Sequence, residues 1–288
     1  MQVGFVGVGA MGAAMAGHVT KAGHDVIAWD LDAAALAAAT DGAVSAARGL
    51  ADLANRVEVA VIMAARDEQT RSIVAGLLDG GLAVGATIVV AATNDPRTMI
   101  DLGARCAKQG IGFVDAPVVY GLRGAQEGDL VSLCGGTAED IARVLPVLSC
   151  YSRSVEHLGP CGAGQIGKTC NNMMHWALCV ANYETLALAR ACGLDAGEMR
   201  QTLLKCPARN GTLERWDTTR LTWHEKDMDV VLTLAQDAGL PLPLFGLVDQ
   251  LVKRLGPADI RALLDGQPAR YLGLDIPEGP FPVVSAKA

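Results

Sequence analysis

A short apolar run over residues 3–6 passes directly into Gly7-Val8-Gly9-Ala10-Met11-Gly12, and a helical pattern opens inside that segment and continues to residue 22. Few architectures accept a strand that becomes a helix across so short a turn. A first glycine permits the turn, and a second lets the backbone approach a pyrophosphate. A third allows close helix–strand packing, while the helix N-terminus presents unpaired N–H groups to an anion. The first half of the chain repeats the same alternation. Strands are expected at 25–29, 57–63, 87–91, 112–115, 130–134 and 155–158, with helices at 33–39, 96–109 and 138–145 between them. Strand and helix in succession imply βαβ units and a largely parallel sheet. Within such a unit, Gly7, Gly9, Ala10, Met11 and Gly12 are the expected phosphate cradle.

The second expected strand ends at Trp29-Asp30, where a carboxylate can accept hydrogen bonds from an adenosine ribose. The segment Asp30-Leu31-Asp32 holds two carboxylates and no cation, which disfavours a 2′-phosphate. NAD is therefore expected over NADP. Met63 closes the strand at 57–63 and either lines the cofactor cleft or sits in the core.

From residue 162 the pattern changes. Residues 164–192 contain no proline and read as one long, largely buried helix, followed by helical stretches at 196–205, 226–237, 244–255 and 257–264. The tail from Gln267 holds four prolines and no periodicity, so it is expected to be irregular. Lys168 is the one lysine in the long helix, and the next charge is Glu184. Burying an ammonium is costly, and burial suits it to proton transfer near neutral pH. A lysine reaching the surface from a helix end is the other reading. Asn172 and His175 follow it at four and seven residues, on the same helix face. His175 contacts substrate or is a core histidine satisfied by backbone.

Net charge of −7 argues against a nucleic-acid partner, which needs a basic face. No CxxC pair occurs among the eight cysteines, so no metal site is expected and the thiols read as reduced in a cytoplasmic protein. The first 20 residues carry no basic n-region and several glycines, which suits neither a signal peptide nor a membrane span.

Four blocks together resemble the β-hydroxyacid dehydrogenase family (3-hydroxyisobutyrate dehydrogenase, tartronate semialdehyde reductase and relatives). They are GFVGVGAMG at Gly4–Gly12, DAPVVYGLRGAQEGDL at Asp115–Leu130, GAGQIGKTCNN at Gly162–Asn172 and KDMDVVLTLA at Lys226–Ala235. The resemblance implies an N-terminal Rossmann domain (1–161), a long interdomain helix and an all-helical C-terminal domain (162–288), an α/β protein that matches the pattern read above. It implies reversible hydride transfer between NAD and a hydroxyl, with Lys168 as general acid/base and Asn172 bonded to substrate. Lys226 then lies near the nicotinamide, beside Asp227, and Thr93 lies near the cofactor. It also implies a homodimer or homotetramer. The family's SGG is Val119-Tyr120-Gly121 here, so the serine that helps hold a substrate carboxylate is missing and Tyr120 adds bulk. Arg123 in the same block either binds an anion in its place or is a solvated loop residue. The expected substrate is a β-hydroxyacid-like or larger, including aromatic, alcohol. Two alternatives stand beside it: an imine- or amine-forming reductase on the same scaffold, and a dinucleotide-binding interaction protein without catalysis.

Overall fold

The computed structural model describes residues 1–40, 42–277 and 279. The chain divides into two compact units, Met1–Lys168 and Thr169–Ala288. The boundary expected between residues 161 and 162 lies just before the long helix Ala163–Ala191, whereas the units divide within it.

The first unit is built on one sheet of β1 (Gln2–Val6), β2 (Asp25–Trp29), β3 (Ser45–Ala46), β4 (Val59–Ile62), β5 (Thr87–Val90), β6 (Gly112–Asp115), β7 (Val118–Val119), β8 (Leu130–Gly135) and β9 (Ser152–Gly159). Strand order is β3-β2-β1-β4-β5-β6-β8-β7, with β9 also paired to β8. The strands from β3 to β6 run parallel. The order reverses between β1 and β4, and in open α/β sheets ligands bind outside the carboxyl ends of the strands at such a point. The glycine segment leaves β1 there, and Met63 leaves β4.

The centre of the sheet is buried on both faces, which is why β4 and β5 are fully buried runs rather than alternating ones. Successive side chains go to opposite cores. Phe5 joins Met15, Val19, Val61 and Tyr151 on one face, and Val6 joins Ile62, Leu77, Ile88 and Met99 on the other.

The far end of the sheet differs from the expected parallel pattern. Strand β8 is antiparallel to β6 and β7, and only β9 returns parallel to it. The cause is local: β7 carries on in the direction of β6, pairing with β8 in the same antiparallel register, and the chain reverses just beyond it instead of crossing over. The segment after it, Gly121–Glu127, is a short helix.

The second unit is mostly helical: the rest of the long helix, Ala196–Leu203, Gly211–Glu214, His224–Asp237, Pro243–Val252 and Pro257–Leu264. Its core gathers Trp176, Tyr183, Trp216, Met228, Val252 and Leu263. Two expectations need correction. The long helix is less buried than its composition suggests: Ile166, Met174 and Leu188 are exposed along it. The tail from Gln267 is not wholly irregular, because Arg270–Tyr271 and Leu274–Asp275 form a small hairpin. Contacts distant in sequence hold it. Tyr183 Oη donates to the Arg270 carbonyl at 2.8 Å, and Tyr271 Oη donates to Glu184 at 2.6 Å. Residues 280–288 of the tail lie outside the described residues. Among the described residues no helix is long and apolar enough to cross a membrane.

Candidate active site

The glycine segment meets the steric demands of a pyrophosphate cradle. Gly7 has φ +91°, and a Cβ there would run into the Met63 carbonyl oxygen. A Cβ on Gly12 would run into the Gly7 carbonyl oxygen, so the helix Ala10–Lys21 packs backbone-close to the turn. Gly9 is the contrast: a side chain there would meet nothing within 4 Å. It is also the helix N-cap and has no side chain with which to cap it. Gly9 and Ala10 are exposed, and Met11 is partly buried, at a helix start whose first N–H groups have no intrahelical partner. The residues present fit a dinucleotide. Met63 packs partly against the core while its backbone borders Gly7.

Asp30 ties the turn to β2. Its Oδ2 accepts from Val8 N–H at 2.7 Å, and its Oδ1 from Asp32 N–H at 2.9 Å. Asp32 caps the next helix by accepting from Ala34 and Ala35. Between them Leu31 is 83% exposed.

Farther along the same carboxyl edge of the sheet, Asp115 at the end of β6 takes hold of the start of the long helix. Its Oδ1 accepts from Gly162 N–H at 2.6 Å, and its Oδ2 from Gln165 N–H at 2.8 Å. Space is tight: a Cβ on Gly164 would strike the Leu133 carbonyl, and one on Gly135 would lie 2.5 Å from Asp115 Oδ1. One turn later Lys168 Nζ donates to the Val118 carbonyl at 2.9 Å. The structure therefore brings Lys168 to the Val119-Tyr120-Gly121 segment.

Tyr120 keeps a backbone conformation natural to glycine, with φ 86° and ψ 0°. A bulky residue there is strained, by about 1–2 kcal/mol. Its ring lies under the Arg153 guanidinium, 4.2 Å from the cation, and Arg153 also pairs with Asp129. Val119 is partly buried and pairs with Val131. Arg123 is exposed and bonded to Glu127 at 2.8 Å. Thr93 is partly buried in the loop after β5.

In the second unit Asn172 Nδ2 donates to Asp227 Oδ2 at 2.8 Å, and Trp176 Nε1 donates to the same oxygen at 3.1 Å. Asp227 is buried, and its neighbour Lys226 is partly buried. Leu221 and Trp223, which lead into this helix, both have positive φ. His175 pairs through Nδ1 with Thr212 Oγ1 at 3.0 Å and packs with its ring tilted against Trp176.

Sequence reasoning gave no role to Asp115 or Gln165. The available signals were a carboxylate closing an apolar strand and an amide in the first turn of an apolar helix. Burial pushes the Asp115 carboxyl up to about 6, against the pull of the Gly162 and Gln165 N–H groups. A carboxyl raised by folding binds its proton more tightly in the fold. Its contribution to stability is thus largest below the unfolded value of 3.8 and falls as pH rises to about 6. Urea midpoints for wild type and Asp115→Asn should show the wild-type advantage shrinking across that window and level above it. Near neutrality, Asp115→Ala, which orphans two buried N–H groups, should lose about 2–4 kcal/mol of stability by the same measurement.

Residues 2–159 match the family described as the NAD binding domain of 6-phosphogluconate dehydrogenase, and residues 162–265 that of the NAD-binding of NADP-dependent 3-hydroxyisobutyrate dehydrogenase. The chain is 32% identical over 217 residues to the NAD-dependent L-serine dehydrogenase of Pseudomonas aeruginosa, covering 74% of this chain and 72% of that one. It is 28% identical over 291 residues to the 2-(hydroxymethyl)glutarate dehydrogenase of Eubacterium barkeri, covering 92% and 94%. The fold matches the solved Mycobacterium tuberculosis 3-hydroxyisobutyrate dehydrogenase with L-serine, at a TM-score of 0.82 and 22% identity, covering 92% and 98%.

Proposed function

Since the chain belongs to the β-hydroxyacid dehydrogenase family, and so is an oxidoreductase of CH–OH groups that binds a nicotinamide dinucleotide, we propose that it oxidises the hydroxyl of a β-hydroxyacid-like or larger alcohol with NAD, reversibly, using Lys168 as general acid/base. The observation that carries this reading is the placement of Lys168 Nζ at the Val118 carbonyl, beside the one segment that departs from the family pattern. The dinucleotide, when bound, supplies the two-electron acceptor. Gly7, Gly9, Ala10, Met11 and Gly12 hold its pyrophosphate, and Asp30 its ribose. Met63 and Thr93 line the rest of its site in the first unit, and the family pattern assigns Lys226 to the cofactor. As a neutral amine Lys168 takes the proton of the substrate hydroxyl, and as an ammonium it returns one to the carbonyl oxygen. Asn172 donates to substrate, with its amide oriented by Asp227.

The substrate reading rests on Val119, which brings no donor where the family pattern has serine. An unmade bond to a buried carboxylate oxygen costs about 1–3 kcal/mol, which weighs against short hydroxyacids. Tyr120 keeps the backbone turn of a glycine while stacking on Arg153, so the loop's shape is kept and its chemistry changed. Arg123, already paired with Glu127, and His175, paired with Thr212, contribute less than Val119, Tyr120 and Gly121. Exposed Ile166, Met174 and Leu188 on the long helix support a homodimer or homotetramer. The cysteine usage supports a cytoplasmic location.

A panel of hydroxyacids and aryl-substituted alcohols, followed by absorbance of the reduced cofactor, tests the reaction. Lys168→Met should lower kcat by about 10²–10⁴ with little change in NADH affinity. Near-normal turnover would place the proton carrier elsewhere. The preference for NAD is tested at Leu31, which is exposed between two carboxylates. Wild type should show the higher kcat/KM with NAD, and Leu31→Arg should raise kcat/KM for NADP by about tenfold or more through a charged bond to the 2′-phosphate.

A further inference from the structure

Gln165 is fully buried, in the first turn of the long helix, and its side chain faces the loop after β5. Its Oε1 accepts from Asn94 N–H at 2.9 Å, and its Nε2 donates to the Ala92 carbonyl at 2.9 Å. The two bonds bracket Thr93 on either side. From the opposite side, Asp67 Oδ1 accepts from Asn94 Nδ2 at 2.9 Å and Asp67 Oδ2 accepts from Asp95 N–H at 3.0 Å. Thr70 Oγ1 donates to Asn94 Oδ1 at 3.3 Å. The loop is pinned at residues 92, 94 and 95, while Thr93, between the pins, stays partly exposed. The backbone N–H of Gln165 is itself held by Asp115, and Lys168 comes three residues later.

We propose that Gln165 is a positioning residue that fixes Thr93 relative to Lys168, so that the dinucleotide and the proton carrier keep a set separation. This rests on the reading of Thr93 as a cofactor contact. The chemistry of the site asks for an amide. One group must accept from Asn94 N–H while another, on the same side chain, donates to a carbonyl. A methionine of similar length leaves both buried backbone groups unpaired. A carboxylate keeps the first bond but turns an oxygen toward the Ala92 carbonyl.

The test is a double-mutant cycle in the full-length protein, read by equilibrium NADH binding and by steady-state kinetics. Gln165→Met should raise the NADH Kd by about tenfold and lower kcat by about tenfold to a hundredfold, because a misplacement of about 1 Å is that costly, while substrate KM moves by less than about threefold. Amide exchange at Asn94 should quicken in the protein without cofactor. In a Thr93→Val background the effect of Gln165→Met on NADH Kd should shrink to about twofold or less. If Gln165→Met does not fold, Gln165→Glu, which keeps the acceptor for Asn94, carries the same measurements with the same signs. NADH Kd and kcat within twofold of wild type in the folded variant would overturn the proposal, as would full additivity with Thr93→Val. If Thr93→Val itself leaves NADH Kd unchanged, the cofactor role of Thr93 fails, and the positioning role fails with it.

Discussion

The buried Asp115 carboxyl holds the N-terminus of the long helix, and much of the first unit's chemistry depends on that bond pair. A helix that starts in a protein interior brings N–H groups without partners, and they must be met by something other than the helix itself. Asp115 meets those of Gly162 and Gln165, and a carboxylate at a helix N-terminus also interacts favourably with the helix dipole. The cost is desolvation, which pushes this carboxyl up to about 6. With its first turn fixed against β6 and β8, the helix has no freedom in register. Gln165 must then face the loop after β5, and Lys168 must face Val118.

The same economy of backbone governs the dinucleotide end. Gly7 and Gly12 are there because side chains would collide with backbone oxygens, whereas a side chain at Gly9 would meet nothing within 4 Å. Asp30 closes this turn by accepting from Val8 N–H, so the carboxylate proposed for the ribose also shapes the loop proposed for the pyrophosphate. Its removal would therefore disturb two things together. Leu31, an exposed apolar side chain, is the cleaner position at which to alter cofactor choice.

Much of this was legible in the sequence because the signals are local. The parallel core strands at 25–29 and 112–115 and the helices at 33–39 and 257–264 are legible with their bounds, since apolar period and turn residues coincide there. The glycine turn and Lys168 were visible for the same reason. What was hidden depends on distant contacts. The tail hairpin forms because Tyr183 and Glu184 of the long helix bond it, and its prolines conceal that. The antiparallel pairing of β6 and β7 with β8 adds a strand of only two residues, too few for a period. Asp115 and Gln165 act across about 50 and 70 residues of chain, and no spacing rule points to such partners. Tyr120 was expected as bulk in the substrate loop. Its strained backbone and its stacking on Arg153 depend on contacts that no sequence pattern encodes.

If the anchored helix delivers Lys168 as the proton carrier, a small amine supplied from solution should stand in for the lost side chain. The most direct measurement is therefore chemical rescue of Lys168→Ala by small primary amines, with NADH binding monitored alongside. Turnover should be low without amine and rise with amine concentration and basicity, while NADH affinity stays near that of wild type. Turnover near the wild-type rate before any amine is added would contradict the account.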